Sequence, residues 1–229
     1  MPENHPSEHR TLIIGSKGGL GTALTQDLRN KGRTLVELSR TEIDLEDPKS
    51  VTDMAKSIRH INFDAVVINA AKNNPIPLTN DYAMSEIASH LQVNFLAHTE
   101  LLLSVLPRMI DQGFGRIVAI SSLYAERARP GRAPYSVSKA CLETIIKSIA
   151  IEHSRSNVLA NVIRPGFLDT NLTRKNNSEK QIEEIVSNVP VGRLGKVNEV
   201  VDLIDFLISE KNMFITGEVI TVDGGFQLR

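Results

Sequence analysis

Short apolar runs alternate along the chain with stretches in which apolar positions recur every three or four residues. The runs are TLIIG (residues 11–15), TLVEL (34–38), FDAVVINAA (63–71), GRIVAIS (115–121), VLANVIRPG (158–166) and GEVITVD (217–223). Most are apolar on successive rather than alternate positions, which predicts strands buried on both faces. Between them the helical period predicts helices over residues 20–31, 48–59, 84–111, 134–153, 178–188 and 197–208. Val197, Val200, Val201, Ile204, Leu207 and Ile208 form the buried stripe of the last, and Pro48 suits the first turn of the second. Alternation of strand and helix predicts an α/β fold built on a doubly wound parallel sheet. Ligands of such a sheet lie beyond the carboxyl ends of its strands, so the residues just after each strand are the ones to inspect.

The 229 residues contain no Pro/Gly/Ser-rich linker, which predicts a single domain over residues 11–229 behind a loose tail at 1–10. That tail, MPENHPSEHR, lacks the apolar core of a signal peptide. No apolar run approaches the roughly 20 residues that span a bilayer. A balance of 26 basic and 27 acidic residues argues against nucleic acid or an anionic membrane as the main partner. Cys141 is the only cysteine, which excludes an intramolecular disulfide, and its apolar helical setting predicts a small core residue. A soluble, cytoplasmic protein is expected.

The first strand runs into GSKGGLG, where Gly15, Gly19 and Gly21 open a helix. Glycines there let backbone N–H groups approach a pyrophosphate at the positive end of the helix, the Rossmann-type arrangement. The second strand ends in Ser39 and Arg40, where a cofactor lacking the 2′-phosphate would usually meet a carboxylate. A guanidinium pairs with that phosphate; a contact of roughly 1.5–3 kcal/mol favours NADP over NAD by about ten- to a hundredfold. Lys17 adds to the preference, and the plain alternative is an exposed arginine without a ligand.

The segment APYSVSKACLETIIKSIAIE (residues 133–152) reads as a helix with an apolar side of Val137, Ala140, Cys141, Thr144, Ile145, Ser148 and Ile149. Near its start Tyr135 and Lys139 stand one turn apart on one face. A free phenol near pKa 10 is a poor base at neutral pH, and lowering it by about three units takes roughly 4 kcal/mol of phenolate stabilisation. An ammonium and an oxidised nicotinamide in a dry cleft push in that direction.

Together with INAA (68–71), VNFLA with Asn94, ISS (120–122), RPGFLDT (164–170), PVGRLGKVNEV (190–200) and ITGEVITVDGG (215–225), these motifs resemble the short-chain dehydrogenase/reductase family. The resemblance runs from about residue 11 to the end and is strongest to the β-ketoacyl-acyl carrier protein reductases. It implies Tyr135 as general acid in reduction and base in oxidation, and Lys139 as the group that holds the nicotinamide ribose and lowers the tyrosine pKa. It also implies Ser122, in preference to Ser121, as the donor to the substrate carbonyl, and Asn94 as the holder of a relay water. The cofactor would lie on Gly15, Ser16, Lys17, Gly19, Leu20 and Gly21, with Ser39, Arg40, Asp44 and Leu45 toward adenosine. Asn69, Ala70 and Ala71 would line the adenosine side, and Pro165, Gly166, Leu168 and Thr170 would face the nicotinamide.

The resemblance implies an NADPH-dependent enzyme reducing a ketone, plausibly a β-ketoacyl thioester or related metabolite, to a secondary alcohol. The alternatives are an NADP-dependent dehydrogenase acting on a small alcohol or sugar derivative, and a non-catalytic dinucleotide sensor or scaffold. It further implies a homotetramer, or failing that a homodimer, paired through the helices that begin near residues 84 and 134. Ala71 departs from the family pattern, where glycine is usual. RTEID (40–44) leaves no room for the helix and strand that relatives place there, so that crossover helix is expected to be missing and the third strand to be vestigial, at most residues 41–43. Arg127, Arg129 and Arg132 crowd the loop after Ser122, and Arg174 and Lys175 follow the nicotinamide-facing segment. They suit either a solvated rim or an anionic substrate or carrier protein.

Overall fold

A computed structural model describes residues 9–228. Its strands are β1 (Arg10–Ile14), β2 (Thr34–Leu38), β3 (Ala65–Ile68), β4 (Gly115–Ile120), β5 (Val158–Pro165) and β6 (Val219–Val222). They form one sheet in the order β2-β1-β3-β4-β5-β6, with every pairing parallel. The strand order reverses between β1 and β3, which opens a crevice at their carboxyl ends. Register lines those ends up: Ile14 is opposite both Leu38 and Ile68, Ile68 opposite Ala119, and Ile120 opposite Ile163.

Adjacent residues of one strand face opposite cores. Ile13, Val67 and Val118 pack with Leu24 and Leu28 of α1 (Gly19–Asn30) and with Val200, Val201, Ile204 and Leu207 of α8 (Val197–Leu207). Leu12, Ile14, Val66 and Ile117 pack on the other face with α2 (Pro48–Ile58), α4 (Ala97–Asp111) and α5 (Ala133–His153). Each such side chain, fully buried, contributes about 1.5–3 kcal/mol. Asp47 caps α2 by accepting from Lys49 N at 3.0 Å, with Pro48 in the first turn as expected.

The structure corrects or sharpens four expectations. The helix predicted over residues 84–111 is interrupted: α3 (Ala83–Leu91) passes into a π-helical turn, Gln92–Leu96, before α4. Residues 39–47 run as turns, so no strand forms at 41–43, and β2 is the edge of the sheet. Ile43 is buried there in the same core as Val51 and Ala55 of α2, without belonging to a strand. An additional short helix, α6 (Asn171–Asn176), precedes α7 (Glu179–Ser187), started by Thr170 accepting from Thr173 N. Most informative is the face of α5. Its buried side carries Tyr135, Ser138, Lys139, Leu142, Glu143 and Ile146, whereas Val137, Ala140, Cys141, Thr144, Ile145 and Ser148 line an open groove with Phe95. Cys141 is therefore half-buried on the outer face and not a core residue.

The expected tail at residues 1–10 lies largely outside the described residues, but Arg10 belongs to β1 and its N–H donates to Asp64 Oδ2 at 2.8 Å. Among the described residues no helix is long and apolar enough to cross a membrane.

Candidate active site

The glycine loop follows β1 directly. Gly15 has φ 94°, and a Cβ there would strike the Ala70 backbone; a Cβ at Gly21 would strike the Gly15 carbonyl, so α1 presses directly onto the loop. Asn69 Nδ2 holds that carbonyl at 2.7 Å, and Ala70 N donates to Ile14 O at 2.9 Å, joining the ends of β1 and β3. No side chain caps the first turn of α1. Ser16 is buried with a hydroxyl that makes no hydrogen bond among the described residues. An uncapped helix start beside an orphaned hydroxyl fits a pyrophosphate. Leu20 packs inward against the α1/α8 core, while Gly19 lies against Thr170. Ala71 does not have positive φ, so alanine in place of the family's usual glycine carries no backbone strain there.

At the end of β2, Ser39 is buried and donates through N and Oγ to Glu42 Oε2, at 2.8 and 2.6 Å. Hydrogen bonds from Ser39 and Thr41 hold the Glu42 carboxyl down at about 2. With Glu42 committed to its own loop, Arg40 and Lys17 are exposed cations with no hydrogen bond or ion pair from their side chains to the described residues. Asp44 Oδ1 accepts from Glu46 N at 2.9 Å, and Leu45 O accepts from Gln92 Nε2 at 3.3 Å.

Tyr135 and Lys139 lie under the loop after β4, with exposures of only 8% and 1%. Lys139 Nζ donates to Ile120 O at 2.7 Å and lies 5.9 Å from the centroid of the Tyr135 ring. Burial pushes the lysine down to about 8, with Glu143 opposing. Burial also pushes the phenol up to about 12, with the Ser122 hydroxyl and the Arg132 charge pulling back. Removal from water outweighs these neighbours, so the net displacement of the phenol is upward. Ser122 starts the 3-10 turn Leu123–Ala125, its Oγ accepting from Tyr124 N at 3.2 Å. Ser121 instead donates to Glu143 Oε1 at 2.6 Å, which leaves Ser122 as the serine beside the phenol.

Asn94 sits in the π-helical turn. Its Oδ1 accepts from Lys72 N at 2.7 Å, and its Nδ2 donates to Lys72 O and Ser138 Oγ, each at 2.9 Å. Its side chain thus clamps the segment after β3 to α5. Its carbonyl lies 3.1 Å from His98 Nδ1; a carbonyl only accepts, so the ring proton is on Nδ1. Burial, reinforced by the Lys139 charge, holds His98 neutral, down at about 3.

A family profile described as enoyl-(acyl carrier protein) reductase matches residues 15–227. The chain belongs to the short-chain dehydrogenase/reductase family. A 3-oxoacyl-[acyl-carrier-protein] reductase of Buchnera aphidicola is 30% identical over 95% of this chain and 96% of its own. An uncharacterized oxidoreductase of Bacillus subtilis, YmfI, is 28% identical over 94% and 97%. The solved structure of ElxO with NADP bound shares the fold, with a TM-score of 0.87, 23% identity and coverage of 97% of this chain and 100% of that one.

Within this short-chain dehydrogenase/reductase frame the structure adds a cluster that motif spacing does not show. Arg164, just before Pro165 at the end of β5, donates to Glu143 from Nε at 2.7 Å and Nη2 at 2.6 Å, and its Nη1 donates to Glu126 of the loop after β4. Glu143 is buried and also receives Ser121. The signal was present in the sequence as a carboxylate one turn beyond Lys139, on the same face of the helix. Of the remaining predicted residues, Gly166 N donates to Val222 O at 2.9 Å, Leu168 bridges to Gly195, and Thr170 caps α6. These place the segment after β5 opposite the glycine loop. Arg174 is neutralised by Asp169 at 2.6 and 2.8 Å.

Proposed function

We propose that the protein is an NADP(H)-dependent reductase that converts a ketone to a secondary alcohol, with a β-ketoacyl thioester or related metabolite as the favoured substrate. The observation that carries this reading is a buried phenol held protonated beside a serine hydroxyl, with a buried ammonium one helical turn away. The nicotinamide, when bound, supplies the hydride. The Gly15, Ser16, Gly19 and Gly21 backbone would hold its pyrophosphate; Arg40 and Lys17 would take the 2′-phosphate; Pro165, Gly166, Leu168 and Thr170 would border the ring.

Ser122 donates a hydrogen bond to the substrate carbonyl, and Tyr135 gives its proton to the same oxygen as charge develops on it. The phenolate left behind is stabilised by Lys139, which carries its charge below about pH 8. Asn94 fixes the position of α5 beneath both groups through Ser138. A phenol pushed up to about 12 by burial is protonated at neutral pH, the state in which it can give a proton to the substrate oxygen. The test is NADPH oxidation across ketone classes that include acetoacetyl thioesters; no turnover with any of them overturns the reading.

Cofactor choice is tested at Arg40. Arg40→Ala is expected to weaken NADPH by about ten- to a hundredfold and to leave NADH nearly unmoved, because only the phosphate loses a charged partner. Fluorescence titration of both cofactors decides it; equal affinities in the unmodified protein, unchanged by the substitution, would make Arg40 a surface charge. Ser39→Asp is the poorer probe, since its carboxylate would stand against Glu42.

Assembly is tested at the outer face of α5. Val137 lines the groove with Cys141 and Ile145 and is exposed, as are Leu96 and Leu103 of the preceding helical segment, apolar surface of the kind that marks a contact between proteins. A homotetramer is expected, or a homodimer, closed by two-fold axes. A concentration-independent monomer by light scattering at micromolar protein would refute it.

A further inference from the structure

We infer that Arg129 and Arg132 form a subsite for an anionic group, a carboxylate or a phosphate, of the carbonyl substrate. The inference rests on the reductase reading and narrows its substrate class. The guanidinium of Arg129 lies 5.7 Å from the ring centroid of Tyr124 and 5.8 Å from that of Phe226; Arg132 lies 5.8 Å from Tyr124. Tyr124 in turn meets Tyr135 edge-on at 6.5 Å, and Phe226 meets Phe167 edge-on at 5.1 Å. Loops after β4, β5 and β6 thus converge on one aromatic and cationic cluster, one ring away from the proton donor.

Three features set this cluster apart from a solvated rim. First, the exposed Arg129 guanidinium lies within cation–π range of both rings while its donors stay free: its side chain has no hydrogen bond or ion pair to the described residues. Second, the loop's own carboxylate, Glu126, is drawn away to Arg164, so nothing within the loop balances these charges. Third, among the described residues the Arg132 side chain hydrogen-bonds only the uncharged Asn73, at 2.7 Å to Oδ1, and its field already reaches the Tyr135 phenol. Arg127 is tied to Gln227 O at 2.8 Å and Arg174 to Asp169, so neither is assigned to the subsite.

A bidentate contact to a carboxylate or phosphate here would orient the ketone against Tyr135. The shared chemistry has two sources: the carboxylate of a small oxo acid, or the phosphate of a pantetheine thioester. Both are tested by comparing kcat/KM with NADPH for a series of oxo acids, acetoacetate to 5-oxohexanoate, against their ethyl esters. A parallel comparison sets acetoacetyl-coenzyme A against the uncharged N-acetylcysteamine thioester.

The expected result is a preference of at least about tenfold for the charged member of one pair, falling toward unity in Arg129→Gln and weakening with added salt. The ratio is the readout because Arg132→Gln, acting on the phenol as well, should lower turnover on both members. Preference confined to the oxo acids assigns a small carboxylate; preference confined to the coenzyme A thioester assigns a pantetheine phosphate. Equal kcat/KM for charged and neutral members of every pair, unmoved by Arg129→Gln, overturns the subsite while leaving the reductase reading intact. Failure of every ketone, charged or neutral, removes the reading on which it rests.

Discussion

Replacing Tyr135 by phenylalanine should lower ketone turnover by at least about 10²-fold while NADPH binding changes little, because the ring stays and only the proton donor goes. The side chain is almost fully buried, and its edge-on contact with Tyr124 does not involve the hydroxyl, so folding should survive the substitution. In the unmodified protein the same measurement has a pH signature. Lys139, pushed down to about 8, is charged below that value and loses its proton as the pH rises through it. Reduction should therefore be flat toward neutral pH and fall above about 8, well before the phenol itself titrates near 12. A Tyr135→Phe protein keeping more than about a tenth of the turnover, with proton transfer rate-limiting, would remove this residue from the chemistry.

The second large effect is expected at Glu143. Arg164 meets it bidentately, and Ser121 adds a third hydrogen bond to a carboxylate that water hardly reaches. Glu143→Ala leaves the guanidinium without its main partner and should destabilise the protein by about 3–5 kcal/mol. The double replacement Glu143→Leu with Arg164→Met removes both charges, so it should recover most of that loss. Urea unfolding of the three proteins checks both statements; a single variant within about 1 kcal/mol of the unmodified protein would mean the pair stands in a wetter environment than its geometry implies.

Much of the site was legible because its chemistry is tied to spacing along the chain. Gly15 to Gly21 must follow a strand and open a helix, and Tyr135 and Lys139 must share a helical face, so local sequence reveals both. The phase of α5 was not legible. Its period identified the helix, but of the predicted apolar side only Ile149 is buried; the buried face combines Leu142, Ile146 and Ala150 with a phenol, an ammonium and a carboxylate. Glu126 and Arg164 lie far apart in sequence and meet only through the sheet, so no pattern along the chain joins them. Residues 41–43 do not add to the open edge of β2, because Glu42 N and Ile43 N both turn back onto Ser39 O.

The π-helical turn at Gln92–Leu96 carries one residue more than an α-helix would use between the same ends, closing with Ala97 N on Gln92 O. The widened turn takes up that residue, so excising it would close the ladder as an ordinary α-helix between the same ends. Leu101, Leu102, Val105 and Met109 would stay buried against the sheet, whereas Asn94 would lose the place from which it holds Lys72 and Ser138. Residues 73–82, with neither helix nor strand, could gain or lose a residue and absorb it locally. Between residues 92 and 96 the extra residue thus sets no direction for α4; it sets where Asn94 stands, between the segment after β3 and α5.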